Sequence, residues 1–363
     1  MSLKRVLVLI LAPVVMSACS SLMKYEKAEE LKKNQEFEQA VKIVKPDDAI
    51  PEGTAPAVSA TPEPVATPVV TAPTKSSKKS KVAATPAPTV KASKPKKGGK
   101  AAVVTATPEV PAQRQPDLED SEGFSGRRPI VDPFRAGEEV VHDVHYFKVS
   151  AGELRLKVEP FSMVNGRKSY TYAIEIKTIG LFSNFYAVDD RVETFVDYED
   201  LVPRVFQLHV KESGQIKEAK MLFDMQKGQA TFWEKKVTKE DGEKEKKLQW
   251  DILPYSQNVY SAVYYMRNFK WEIGKEYAYR VTNDEENLVF SGKALRREIL
   301  QTKLGPMKAI VIQPNIVLKG KFKPIGENLI WLSDDDRRYI LRIEAKIKIG
   351  TLISEVVKIS PGK

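Results

Sequence analysis

The sequence predicts a mainly β protein: a curved antiparallel sheet or partly open barrel with one packed helix, preceded by a disordered Pro/Ala/Lys-rich tether. Three observations carry this. Apolar and polar residues alternate with period two through most of the chain after about Pro129, as in strands with one buried face. Turn-forming pairs such as Asn165-Gly166 separate the alternating runs. Between about Asp47 and Asp117 the composition shifts to Pro, Ala, Thr, Val and Lys, with no apolar periodicity to bury.

The chain opens as a secretory signal, expected over residues 1–18. Lys4 and Arg5 precede an apolar run, Val6 to Val15, broken only by Pro13. The run falls short of the about 20 apolar residues a spanning helix needs. Met16-Ser17-Ala18-Cys19 resembles the bacterial lipobox, and Cys19 is the single cysteine of 363 residues. A lone thiol cannot make an intramolecular disulfide, so the exported domain must be stable without one. The resemblance implies acylation of Cys19, palmitate included. Ser20 rather than Asp at the next position implies the outer membrane by analogy with lipoprotein sorting. The alternative is an ordinary secretory signal that contains a cysteine.

Residues 19–46 are expected to form the lipidated N-terminus with a short surface helix, in which Ala28, Leu31, Phe37, Ala40 and Val44 lie near one stripe. Residues 47–128 form the expected linker. About 70 extended residues at about 3.1 Å each would reach on the order of 200 Å, whereas a coil would span nearer 50 Å. Either length holds the domain away from the lipid. Nine lysines and no acidic residue lie between Lys75 and Lys100, nearly the whole net charge of +10. Export removes nucleic acid as a partner, and the tract lacks aromatic residues for base stacking. Anionic envelope polymers or lipid head groups remain, beside the plainer reading of a solvated tether.

Residues 129–363 form the expected globular β-rich domain. Leu154, Leu156 and Val158 alternate with Arg155, Lys157 and Glu159, and Leu341, Ile343, Ala345, Ile347 and Ile349 with Arg342, Glu344, Lys346 and Lys348. Asp241-Gly242 predicts an exposed hairpin tip, Ser213-Gly214 and Gly305-Pro306 further turns. The one predicted helix follows Pro254, capped by Ser256, with Val259, Ala262, Val263 and Met266 at helical spacing.

Several segments resemble one uncharacterised bacterial family. They are Gly137-Glu138-Glu139 with Val144-His145-Tyr146, and Thr178 to Ser183 with Val188-Asp189-Asp190-Arg191. Ser261 to Arg267 and, most specifically, Trp331 to Asp335 with Leu341 to Ala345 complete the set. The family is domain of unknown function 3108. The resemblance implies an exported β-rich domain over the globular part and assigns no activity.

The sequence holds no evident catalytic constellation. His142 and His145, three apart on a predicted strand, point to opposite faces and make a poor metal pair. Asp143 and His145 share a face, which admits a proton-shuttle pair. Asp189-Asp190-Arg191 and Asp334 to Arg338 could supply two carboxylates for glycan cleavage, with Asp190 and Asp335 as the pair. They also suit turns and ion pairs. The expectation is therefore a non-enzymatic, lipid-anchored envelope protein, without cofactor or metal. It would bind a hydrophobic or polymeric ligand in the concavity of the sheet. Candidate ligand-binding residues are Phe182, Phe185, Tyr186, Tyr260, Tyr264 and Trp331. The alternative is a structural or adaptor lipoprotein linking the outer membrane to a periplasmic partner or peptidoglycan; a glycan-acting enzyme is third.

Overall fold

A computed structural model describes residues 21–46, 131–316, 328–347 and 350–363. Cys19 and the 47–128 linker lie outside the described residues. Helices α1 (Ala28–Lys32) and α2 (Gln35–Ala40) lead to a two-residue strand, β1 (Ile43–Val44). Strands β2 (Glu138–Tyr146), β3 (Val149–Val164) and β4 (Arg167–Thr178) are followed by helix α3 (Gly180–Phe185). Then come β5 (Asp189–Asp197), β6 (Pro203–Lys211), β7 (Gln215–Asp224), β8 (Gln229–Thr238) and β9 (Gly242–Asp251). Helix α4 (Ser261–Tyr265) continues into a 3₁₀ turn at Met266–Asn268. The chain closes with β10 (Glu276–Asn283), β11 (Glu286–Thr302), β12 (Gly305–Ile316), β13 (Leu329–Ser333), β14 (Ile340–Ile347) and β15 (Gly350–Pro361).

The strands form one antiparallel sheet in the order β10-β11-β12-β13-β14-β15-β2-β3-β4-β5-β6-β7-β8-β9, with β1 added to β3. The ladder does not close, and β9 and β10 remain as edges. At the seam Trp250 Nε1 donates to Thr282 Oγ1 at 2.8 Å, and Gln257 pairs with Val281 in an isolated parallel bridge. The segment returning from β9 thus covers part of the β10 edge. Lysines and glutamates of β9 keep the other edge solvated, which discourages edge-to-edge pairing.

The predicted alternation is present. Leu156 and Val158 enter the core, while Arg155 and Lys157 on the other face pair with Glu139 and Glu175 at 3.0 and 2.7 Å. Arg191 of the Asp-Asp-Arg run joins the same ladder through Glu159, Glu175 and Glu193. Asn165 and Gly166 both take positive φ, 48° and 78°, as a two-residue hairpin turn of the favoured twist requires.

Two expectations change. The helix after Pro254 is shorter than its stripe suggests, and Ser256 does not cap it. Asn258 does, accepting from the amides of Tyr260 and Ser261 at 2.9 and 2.7 Å. Tyr255 at positive φ keeps the preceding residues out of the helix. The N-terminal helix is likewise two pieces, broken at extended Lys33 and restarted by the Asn34 side chain, which accepts from Phe37 N at 2.9 Å.

These pieces form a strap rather than a free surface helix. Leu31 packs on Ile216 and Val237; Phe37 and Val41 pack on Phe195, Val205 and Trp233, on the sheet face opposite the main core. Trp233 Nε1 donates to Glu36 at 3.0 Å. Lys42 N donates to the Asn165 side chain at 2.7 Å, joining the strap to the β3–β4 turn. The folded unit therefore includes residues 23–45, upstream of the linker. The linker cannot separate Cys19 from the domain.

The main core surrounds α4. Tyr264 stacks on Tyr172 with centroids 4.2 Å apart, its hydroxyl 2.9 Å from the carbonyls of Lys157 and Ala173. Next to it, the fully buried Glu138 accepts from Arg267 at 2.6 Å and from Arg337 at 2.7 Å. Arg267 also donates to the carbonyls of Pro133 and Arg337.

Replacing Arg267 by Met leaves Glu138 with one cation and uncaps two carbonyls, so chemical denaturation should show a loss of about 3–5 kcal/mol. A loss below about 1 kcal/mol would mean that the pair does not hold the helix to the sheet. Phe37→Ala should free the strap, so that limited proteolysis cuts after Lys33 and Lys42 much faster while the far-UV spectrum of the sheet is unchanged. Equal protection in both proteins would show that the strap is held elsewhere.

Candidate functional site

The helix stripe read from the sequence builds one wall of an apolar cavity of about 140 Å³. Val259, Ala262, Val263 and Met266 form that wall. The other comes from the inner faces of β10, β11, β13 and β14, including Val281, Leu288, Phe290, Ile330 and Ile343. Among the lining side chains the one oxygen, the Tyr279 hydroxyl, is spent on the Ala262 carbonyl at 2.8 Å. No side chain here can orient a polar guest. The volume matches a benzene-sized guest, which roughly 150 Å³ of apolar space accepts. It is well below the about 300 Å³ at which drug-sized pockets begin. A ring or a short alkyl segment fits, and a whole acyl chain does not.

The six aromatic candidates occupy separate places. Tyr264 is core, stacked on Tyr172. Trp331 is buried, donates to Glu298 at 2.7 Å and lies under Arg342. Tyr260 is half-buried and stacks on Phe206 at 5.4 Å. Phe182 and Phe185 belong to α3, and Tyr186 follows it. None of the six lines the apolar cavity, whose walls are mostly aliphatic, with Tyr279 and Phe290 as the aromatic contributors.

The acidic candidates have local duties. Asp335 accepts from Ser333 Oγ and from the amides of Arg337 and Arg338 at 2.8–3.0 Å, shaping the β13–β14 connection. Asp190 accepts from Lys211 N at 2.9 Å across β5 and β6. Burial and the neighbouring Glu212 push its carboxyl up to about 6, against that amide bond. In the sheet order β15, β2, β3 and β4 intervene between the two sites, and the pair is not assembled.

The Asp143–His145 pair is assembled, at 3.2 Å. Burial pushes Asp143 up, but Lys303 at 2.7 Å and the Ser150 hydroxyl at 2.5 Å outweigh it and hold the carboxyl below the usual range. An aspartate so held is a fixed anion and a weak proton acceptor. His145 also borders an open cleft of about 520 Å³ with Lys148, Arg342, Thr351 and Glu355. His142 points the other way, into the core, as period two requires. Its Nε2 lies 2.9 Å from the Ile340 carbonyl and its Nδ1 3.0 Å from Ser354 Oγ. These partners assign a neutral ring with the proton on Nε2. Among the described residues no three His, Cys, Asp or Glu side chains gather as a metal site.

A family model, Protein of unknown function (DUF3108), matches residues 141–357. The chain belongs to this family. The DUF3108 match begins inside β2 and ends inside β15, so it takes in all four cavity-lining strands and α4 and leaves out the strap. No curated protein matches the chain. Among solved structures it is similar to a β-barrel-like protein of domain of unknown function DUF1849 from Brucella abortus. That match has 9% identity and a TM-score of 0.40 over 63% of this chain and 99% of that one. It is similar to a candidate lipoprotein from Parabacteroides distasonis, at 11% identity and a TM-score of 0.29 over 63% and 98%. A candidate exported protein of YmcC-like fold from Bacteroides fragilis aligns at 9% identity and 0.29 over 63% and 97%.

Burial pushes His142 from its ordinary 6.5 to about 4. The unfolded chain takes up a proton below 6.5 that the folded chain refuses until about 4. Stability is therefore full above 6.5 and falls with acid through that window, by about 3 kcal/mol. His142→Gln should remove this part of the pH dependence in parallel denaturation series at pH 7 and pH 4. An unchanged difference would place the acid sensitivity elsewhere.

Proposed function

We propose that this protein is a non-enzymatic lipoprotein of the outer membrane, facing the periplasm, that takes a small hydrophobic ligand into the cavity beside α4. The cavity carries this reading. A space of about 140 Å³ walled almost wholly by aliphatic side chains, with its one hydroxyl already bonded, favours hydrocarbon over any polar or charged guest. The anchor half rests on the lipobox-like Met16 to Cys19 and on Ser20 after it. Met266 and the half-buried Val259 and Val263 give the wall room to adapt to guests of different shape.

An adaptor role is the second reading. The described chain stops at Pro46, just after β1, and resumes at Val131. There Asp132 accepts a hydrogen bond from Tyr170, and Phe134 packs against Tyr170 and Tyr172. Both points lie toward the Asn165-Gly166 end of β3 and β4, so the lysine-rich stretch is tethered to the fold on both sides. A basic segment held in this way suits an anionic envelope polymer.

The full chain, purified from a bacterial envelope, should carry a small hydrophobic molecule visible by native mass spectrometry and should bind the benzene-sized probe indole in a calorimetric titration. Val263→Phe fills the cavity at a cost of about 1–3 kcal/mol. It should cut probe affinity at least about tenfold while the thermal transition stays cooperative. Equal affinity in both proteins would move binding away from this cavity.

A further inference from the structure

We infer that the end of the sheet carrying α3 is a lipid-contacting surface that rests on the bilayer in which Cys19 is anchored; this builds on the lipoprotein reading above. Helix α3 has no charged residue, and two of its three large side chains turn outward, with Phe182 half-buried. Leu181 is 61% exposed and Phe185 74%. The neighbouring β2–β3 turn adds Phe147 at 69%. Among the described residues, seven of the fifteen exposed large apolar ones fall in two short segments, 147–149 and 176–186. Single exposed apolar residues need no explanation, but a cluster on one rim does. The two segments adjoin. Gly152 pairs with Thr178 and Ile179 N donates to the Ala151 carbonyl at 3.2 Å.

The strap identifies the occupant as lipid. Its first anchored residue arrives at this rim: Met23 N donates to the Glu212 carbonyl at 2.9 Å. The Glu212 carboxylate in turn accepts the hydroxyl of Tyr186, the residue that ends α3, at 2.6 Å. Cys19 stands four residues before Met23, and four residues reach roughly 14 Å at full extension. Acyl chains on Cys19 would therefore hold this rim within roughly 14 Å of the membrane. Lys24 and Lys148 are exposed at the same end, and Lys177, 3.8 Å from Asp189, is largely so. Exposed Leu and Phe flanked by lysine and tyrosine suit the head-group boundary. The opposite end of β3 and β4, at Asn165-Gly166, lies on the far side of the sheet from the bilayer.

The full lipidated chain with Phe185→Cys, labelled with an environment-sensitive fluorophore, tests this in vesicles of phosphatidylethanolamine and phosphatidylglycerol with brominated acyl chains. Lys227→Cys, in the exposed β7–β8 turn at the other end, is the control. Both positions are exposed, so both variants should keep the parent melting temperature. The label at 185 should be quenched about threefold or more relative to the label at 227. Equal quenching on vesicles that retain the protein overturns the inference and leaves the anchor intact. Thiol labelling of the unsubstituted chain reports the anchor separately, because only an unacylated Cys19 reacts. If it does react, chain added to the same vesicles still decides: stronger quenching at 185 sustains the rim contact, and none overturns it.

Discussion

Glu138 sits where four stretches of chain meet: the entry segment at Pro133, the start of β2, the turn after α4, and the β13–β14 connection. Removing a carboxylate and a guanidinium from water costs several kcal/mol per ion, and only complete hydrogen bonding offsets it. Arg267 achieves that, with two contacts to Glu138 at 2.6 and 3.2 Å and others to main-chain carbonyls. Its guanidinium also lies between the rings of Phe134 and Tyr339, each 5.5 Å away. A half-made version of this cluster would be worse than none. The cluster is thus a register mark: it forms only when the helix, the β2 terminus and the β13–β14 loop are all in place.

With α4 held this way, the inside of the curved sheet is partitioned. Tyr264 fills the side toward β3 and β4 by stacking on Tyr172. Phe269, Tyr279 and Phe290 stack in sequence on the β10–β11 side. Aliphatic side chains of the helix and the four strands leave the remaining space between them. The cavity is therefore a by-product of where one short helix is pinned, and its position depends on an ion pair that touches no ligand. The unclosed ladder belongs to the same arrangement, since the segment that delivers α4 to the interior crosses the seam where β9 and β10 would otherwise pair.

The strand alternation, the Asn165-Gly166 turn and the stripe Val259, Ala262, Val263, Met266 were legible because each follows from local geometry. The length of the helix was not. A run rich in Val and Tyr is a poor helix former, and tertiary packing stopped it after five residues. The role of Arg337 was hidden among aspartates that suggested chemistry, because its partner lies 199 residues away. The strap was missed for a related reason. Its stripe was visible, but its receiving surface was assumed to be wet. A signal existed in Thr194-Phe195-Val196 and Val205-Phe206, where apolar residues occupy successive positions. Period two then puts apolar groups on both faces, and both need cover. The aromatic candidates do not converge: Tyr264 and Trp331 are spent in the core, while Phe185 and Tyr186 stand exposed on the rim.

The strap reverses the expected order of parts. Read along the sequence, the Pro/Lys-rich segment stands between lipid and domain, and its reach becomes the height of the domain above the membrane. In three dimensions the described chain meets the rim beside α3 at Met23, crosses the outer face of β5 to β8, and runs along β3 to Pro46. If Cys19 carries lipid as proposed, the three residues between it and Met23, rather than the Pro/Lys-rich segment, set how far the fold stands from the bilayer. An apolar rim would be an aggregation liability on a domain carried on a long tether. On a domain anchored through Cys19 as proposed, within roughly 14 Å of the lipid, the same rim would have a bilayer to cover it.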